Sequence, residues 1–244
     1  MAKLRLHILL CLLLPATLCA WAQVGEPRSE WRWGVNGGVG FNRVSFSPSV
    51  TQKWFFGPTA GLTVRYTCEK YYHLLCSIQM EANFTSTGWK EDIVLADGTY
   101  SSQTAQPQTY FRRLNYIQVP ILARLALGKE HRGASGYLAV GPQLGWMISE
   151  TAEHSTYWQP DDRINSRNQQ YGLKVKNRFD YGITGGLGLE VGTAAGSFLI
   201  EGRYYFGLAN LFGASKSDAF SRSANGTIIG KITYLLPEHK KHDK

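Results

Sequence analysis

Eight charged residues stand mid-strand between apolar neighbours: Arg32, Arg65, Glu81, Arg124, Glu190, Glu201, Arg203 and Lys231. Five are basic and three acidic. Charges of both signs on one face can neutralise each other through paired, hydrogen-bonded contacts, as buried charges require. A single sign would instead suit an ion path. His154-Ser155, with Glu150 or Glu153 nearby, holds the residue types of an activated nucleophile and its base. They lie in a polar stretch, and a triad is defined by geometry, not adjacency. No catalytic residue is assigned, and the chain is read as non-enzymatic. Gly37-Gly38-Val39-Gly40 and Gly185-Gly186-Leu187-Gly188 do not complete G-x-G-x-x-G and precede no helical pattern. They read as strand glycines. No H-E-x-x-H or C-x-x-C occurs, so no metal or cofactor is expected.

What must position the eight charges is a run of strands. Apolar and polar residues alternate over eight segments, near residues 31–43, 55–67, 73–85, 110–127, 135–149, 178–191, 197–208 and 226–236. In the third, Leu74, Cys76, Ile78, Met80, Ala82 and Phe84 oppose Ser77, Gln79, Glu81 and Asn83. The connections alternate too. Those at 68–72, 128–134 and 192–196 are short, and those at 44–54, 86–109, 150–177 and 209–225 are long. Short turns at one end and long loops at the other is the layout of an outer-membrane barrel.

Composition agrees. Charged residues are 18% of the 244, below the roughly 25% usual in soluble domains. Aromatics reach 13% and glycines number 26, which suits a barrel wall. The best candidate for a membrane helix, Ile117 to Leu127, is interrupted by Gln118, Pro120 and Arg124. Lys3 and Arg5, the apolar run from Ile8 to Leu14 and Ala20-Trp21-Ala22 form a secretory signal cleaved after Ala22. Its loss lowers the net charge from +8 to +6. Cys68 and Cys76 then remain; two cysteines make no disulfide framework, and whether they bridge is left open.

In a membrane barrel the apolar face turns outward and the charged face lines the lumen. Aromatics fall near both strand ends: Trp31, Trp33, Tyr71, Tyr72 and Tyr234 at one, Phe55, Phe84, Tyr110, Phe111, Trp146, Phe179 and Phe206 at the other. Two such belts fit two membrane interfaces. The expected fold is an all-β, eight-stranded antiparallel transmembrane barrel with a plugged, charged interior. Residues 1–22 are the signal, 23–236 the barrel and 237–244 a basic periplasmic tail. The +6 charge forms no stripe, so no nucleic-acid partner is expected. Loop cations Lys90, Arg163, Arg167, Lys174 and Lys216 could meet lipopolysaccharide in the outer membrane, and exposed Tyr157-Trp158 is a candidate loop contact.

Four stretches together resemble the PorT-type outer-membrane β-barrel family of Bacteroidota. They are Leu114-Asn115-Tyr116-Ile117-Gln118-Val119-Pro120-Ile121-Leu122, Gly136 to Pro142, Tyr181 to Glu190 and Glu201 to Asn210. The resemblance implies an outer-membrane location. It also implies, through the family's namesake, a role in type IX protein secretion with secretion-machinery partners. The alternatives are a small structural or adhesive surface barrel acting through its extracellular loops and, after it, a lipid-modifying outer-membrane enzyme built on His154 and Ser155. Tyr234 is followed by Leu235, Leu236 and a charged tail, where many outer-membrane barrels end on an aromatic residue.

Overall fold

The computed structural model describes residues 25–130, 132–213, 215 and 218–237. The signal read at residues 1–22, the loop cation Lys216 and the tail beyond Pro237 lie outside the described residues.

Strict alternation over many residues builds long strands. Eight are present: β1 (Glu26–Ser47), β3 (Phe55–Tyr71), β4 (Leu74–Glu91), β5 (Tyr110–Gly128), β6 (Gly133–His154), β7 (Phe179–Thr193), β8 (Gly196–Gly207) and β9 (Arg222–Leu235). A two-residue β2 (Gln52–Lys53) adds to the upper end of β4. Each long strand pairs antiparallel with its sequence neighbours, β1 with β9, and the β4–β5 pairing completes a ring of eight. Four strands, β1, β4, β6 and β9, run past their expected loop-side ends, because they continue pairing above the apolar wall. The ring is sheared. Pairing runs from Trp31 through Tyr66, Ile78, Ala123, Val140, Gly185, Tyr204 and Ile228 to Phe41. It returns to β1 ten residues above its start, so the strands are tilted and the lumen is just wide enough for side chains.

The wall is apolar all round. Leu62, Leu187, Leu189, Ile200 and Ile232 each keep more than half their surface exposed. No described helix is long and apolar enough to cross a membrane; strands make the crossing, and closure pairs backbone groups that lipid cannot satisfy. Aromatics edge this wall. Trp31 packs on Tyr66 and Phe198 on Tyr234 at the turn end, while Phe41 packs on Phe56 and Trp146 on Phe179 at the loop end.

Above the upper aromatics the alternation continues but its sense reverses. Inward positions become apolar: Val44, Phe46, Trp89, Leu114 and Met147 are all buried. Outward positions become polar: Arg43, Ser45, Lys90 and Arg113 are exposed. This corrects two belt residues. Tyr110 points inward at 3% exposure, and Phe55, at 7%, is buried against the ring of Phe111, itself half-buried. Beyond the hydrocarbon the outer wall meets water, so the apolar side turns to the lumen.

The short connections are residues 72–73, 129–132 and 194–195; the long ones are 48–54, 92–109, 155–178 and 208–221. Tyr72 takes a positive φ of 54° in its two-residue turn, as tight hairpins demand. Cys68 and Cys76 are free, beside a bulge in the β3–β4 pairing.

The β5–β6 turn is tied to strands on the far side of the ring. Glu130 accepts hydrogen bonds from Arg28 on β1 at 2.7 Å and Lys70 on β3 at 2.9 Å. The Arg28 bond, joined by Lys70, holds the Glu130 carboxyl down at about 2. A carboxylate depressed on folding stabilises above its ordinary pKa of 4.5 and loses that contribution as pH falls toward 2. Glu130→Gln is therefore expected to lower the urea midpoint at neutral pH, with the gap to wild type closing as pH drops from about 4.5 to about 2. A gap constant with pH would contradict this clasp.

Candidate functional site

All eight charges singled out in the strands are buried in the lumen. Seven lie on one continuous chain of contacts. Arg65 (β3) donates both terminal nitrogens to Glu190 (β7), at 2.7 and 3.1 Å. Arg124 (β5) donates to the same carboxylate at 2.5 Å and lies 4.0 Å over the ring of Tyr137 (β6). The Tyr137 hydroxyl donates to Glu201 (β8) at 2.8 Å. Arg203, two residues along β8, donates to Glu201 and reaches both oxygens of Glu81 (β4) at 3.1 and 2.7 Å. Lys231 (β9) also donates to Glu81. Asn83 donates to Glu81 at 2.8 Å, and Asn36 (β1) donates to Asn83 at 2.9 Å. Every long strand thus contributes a side chain. The eighth charge, Arg32, is held apart by Glu30 and Ser197.

Local sequence explains this convergence. Residues two apart on a strand share a face, which stacks Glu30 with Arg32, Gln79 with Glu81 and Asn83, and Glu201 with Arg203. The shear does the rest, bringing different strands to one height. Arg32 and Arg65 sit directly opposite each other across β1–β3. Like charges there repel, but each guanidinium has its own carboxylate. The β7 glycines make room: a Cβ on Gly188 would come within 2.3 Å of the Tyr137 ring, and one on Gly186 within 2.8 Å of the Arg203 stem. Glu30 and Asp180 escaped the sequence reading. Both lie on the inward period of their strands, and with them the lumen carries five charges of each sign among the residues named. Asn225 donates to Asp180 at 2.9 Å.

Apolar groups close the space around this network. Leu122, Ala126, Tyr137, Ala139, Leu199 and Leu235 pack together toward the turn end. At the loop end Phe46, Trp89, Leu114, Tyr116 and Met147 meet Val175, Leu211, Phe212 and Phe220, which two long loops send back into the mouth. Arg112 covers the Trp89 and Phe212 rings and pairs with Glu150 at 3.2 Å.

Above this stopper the loops fold on Arg163. It is 3% exposed, so it is not the solvated loop cation the sequence suggested. It donates to the Tyr171 hydroxyl at 2.7 Å, the Gln108 side chain at 3.0 Å and the Gln159 carbonyl at 2.7 Å. Tyr171 in turn donates to Glu91 at 2.5 Å; burial, with Glu91 beside it, pushes its phenol pKa well up. Trp158 is also corrected. It is half-buried, stacked between Tyr110 at 5.7 Å and His154 at 4.4 Å. Tyr157 remains exposed at 53%. Lys90, Arg167 and Lys174 are exposed. His154 Nδ1 lies 3.3 Å from the Ser155 carbonyl, and the Ser155 hydroxyl accepts from the Thr109 amide at 3.1 Å. That serine extends the β5–β6 pairing and makes no nucleophile–base contact with His154.

Residues 21–213 match the family described as outer membrane protein beta-barrel domain. No curated protein matches significantly. Among solved structures the chain is similar to the attachment invasion locus protein Ail of Yersinia pestis (16% identity, 85% of this chain and 99% of that one, TM-score 0.37). It is also similar to OprG from Pseudomonas aeruginosa (12%, 87% and 95%, 0.38) and to Neisserial surface protein A (12%, 83% and 96%, 0.36).

Removing one member of a buried, hydrogen-bonded charge pair costs about 3–5 kcal/mol. Arg203→Leu leaves two carboxylates short of donors and is expected to destabilise the barrel by about that much, read as the unfolding free energy in lipid bilayers. An unchanged midpoint would contradict the network.

Proposed function

The chain belongs to the outer membrane protein beta-barrel domain family, and from that premise we propose that it is a non-enzymatic barrel of PorT type that works by contact. It supports protein export of the type IX kind, or assembly of exported proteins at the surface. The observation that carries this reading is the filled lumen beneath an ordered loop head. A packed interior offers no route for cargo, so any part in export is played by surfaces. In this reading residues 1–22 are the cleaved signal, 23–236 the barrel and 237–244 a periplasmic tail, and the lumen charges hold the barrel in shape. Secretion-machinery proteins are the proposed partners, with Tyr157 a contact point.

A second reading is favoured by the head itself. Arg163, Tyr171 and the Trp158 stack pin residues 92–109 and 155–178 together, and a pre-ordered loop surface binds without first losing its conformational freedom. That suits a surface protein acting through its loops, independent of export.

Deleting the gene in the native host and quantifying secreted and surface-attached proteins separates the two. The export reading expects C-terminally sorted cargo to accumulate in the periplasm; unchanged cargo overturns it. Replacing residues 155–178 by a short Gly/Ser linker is expected to abolish partner contact under the surface reading while leaving the barrel folded. Retained contact would overturn that reading.

A further inference from the structure

The outer wall carries a groove of about 420 Å³ where β8, β9 and β1 reach the loop end, and residues 48–54 form part of its rim. Arg43 and Arg222 both line it. Both are exposed, and neither has a carboxylate partner among the described residues. Each guanidinium lies over an aromatic ring: Arg43 is 4.1 Å from the centroid of Trp54, and Arg222 is 5.4 Å from that of Phe206. Below them the groove runs onto Tyr204 and Phe206, which stand 51% and 41% exposed on the apolar wall.

We propose that this groove is a binding site for an anionic, phosphate-bearing lipid of the outer leaflet. The phosphate lies between Arg43 and Arg222, and an acyl chain lies along Tyr204 and Phe206. Charge and position both point to this occupant. Unpaired guanidinium groups favour phosphate, which they can grip with two parallel hydrogen bonds. The aromatic rings beneath hold each side chain in one orientation and leave its N–H groups facing outward. The height decides between a soluble anion and a lipid. Arg43 is two residues above Phe41, an upper-belt aromatic, so it stands at headgroup level. A headgroup there places its own chains against the apolar part of the same groove. The inference rests on the outer-membrane placement, not on any role in export. It also differs from the sequence expectation, which put lipid contacts on loop cations such as Arg163 and Lys174.

Native mass spectrometry of the detergent-purified barrel tests it. The protein is titrated with diphosphoryl lipid A, with lipid A stripped of phosphate, and with dioleoylphosphatidylcholine. Wild type is expected to retain one diphosphoryl lipid A at least about tenfold more tightly than either other lipid. Arg43→Gln/Arg222→Gln is expected to remove that preference. Arg113→Gln, at an exposed cation on the far side of the rim, is expected to keep it. Both side chains are exposed, so the double variant is expected to fold, checked by comparing the gel migration of unheated and boiled samples with that of wild type. Equal retention of all three lipids, or an unaltered preference in the double variant, would overturn the site. So would an equal loss in Arg113→Gln, which marks a diffuse basic rim, or complete displacement by millimolar inorganic phosphate, which marks a free-anion site.

Discussion

A carboxylate taken out of water must find donors for both oxygens, and Glu81 is where this barrel meets that condition. Arg203 reaches both oxygens, Gln79 and Lys231 take one each, and Asn83 takes another lone pair. Gln79 and Asn83 flank Glu81 on β4, but Arg203 and Lys231 arrive from β8 and β9, far along the chain. They meet only if the ring is closed and its shear is right, so the charge network and the barrel register specify each other. A one-residue slip of β8 would turn Arg203 and Glu201 toward lipid and leave Glu81 without its main partner. The same groups thus fill the interior and penalise wrong pairings.

Two solvents act on one wall, and the strands answer both. In the membrane the outside must be apolar, which sends polar groups to the lumen. Above the membrane the outside is wet, and the lumen is covered by loops. There the inward residues are Phe46, Trp89 and Met147, and the outward ones Arg43, Lys90 and Arg113. A continuous pleat carries both patterns without a break in pairing. The result is a charged layer beneath an apolar stopper, with Arg163 pinning the loops above it.

Much of this was legible in the sequence because a period of two is a strong signal over segments of a dozen residues. Strand number, the inward set from Arg32 to Lys231 and the split between short and long connections all follow from it. Glu30 could have been found by extending the same period one residue before the expected first strand, and Asp180 by following the inward period down to the start of the sixth, which already contained it. Phe55 and Tyr110 could not. Their aromatic character matches a membrane belt, and only the packing above the membrane, on Phe111 for one and Trp158 for the other, shows that they are buried. Trp158 and Arg163 were hidden for another reason. Loop residues have no period, and their burial depends on Tyr110, Gln108 and Glu91 arriving from other parts of the chain. The Tyr137 link was hidden as well, since it depends on Gly188 lying across the pairing from it.

The central claim is that the lumen is filled, with paired charges under an apolar stopper. Recording current across a planar lipid bilayer containing the purified full-length protein tests it most directly. The packed interior predicts no steady conductance above that of the bare bilayer. A stable conductance that rises with salt concentration would contradict it, because ions would then be crossing the layer where Glu81, Arg203 and Lys231 are held together.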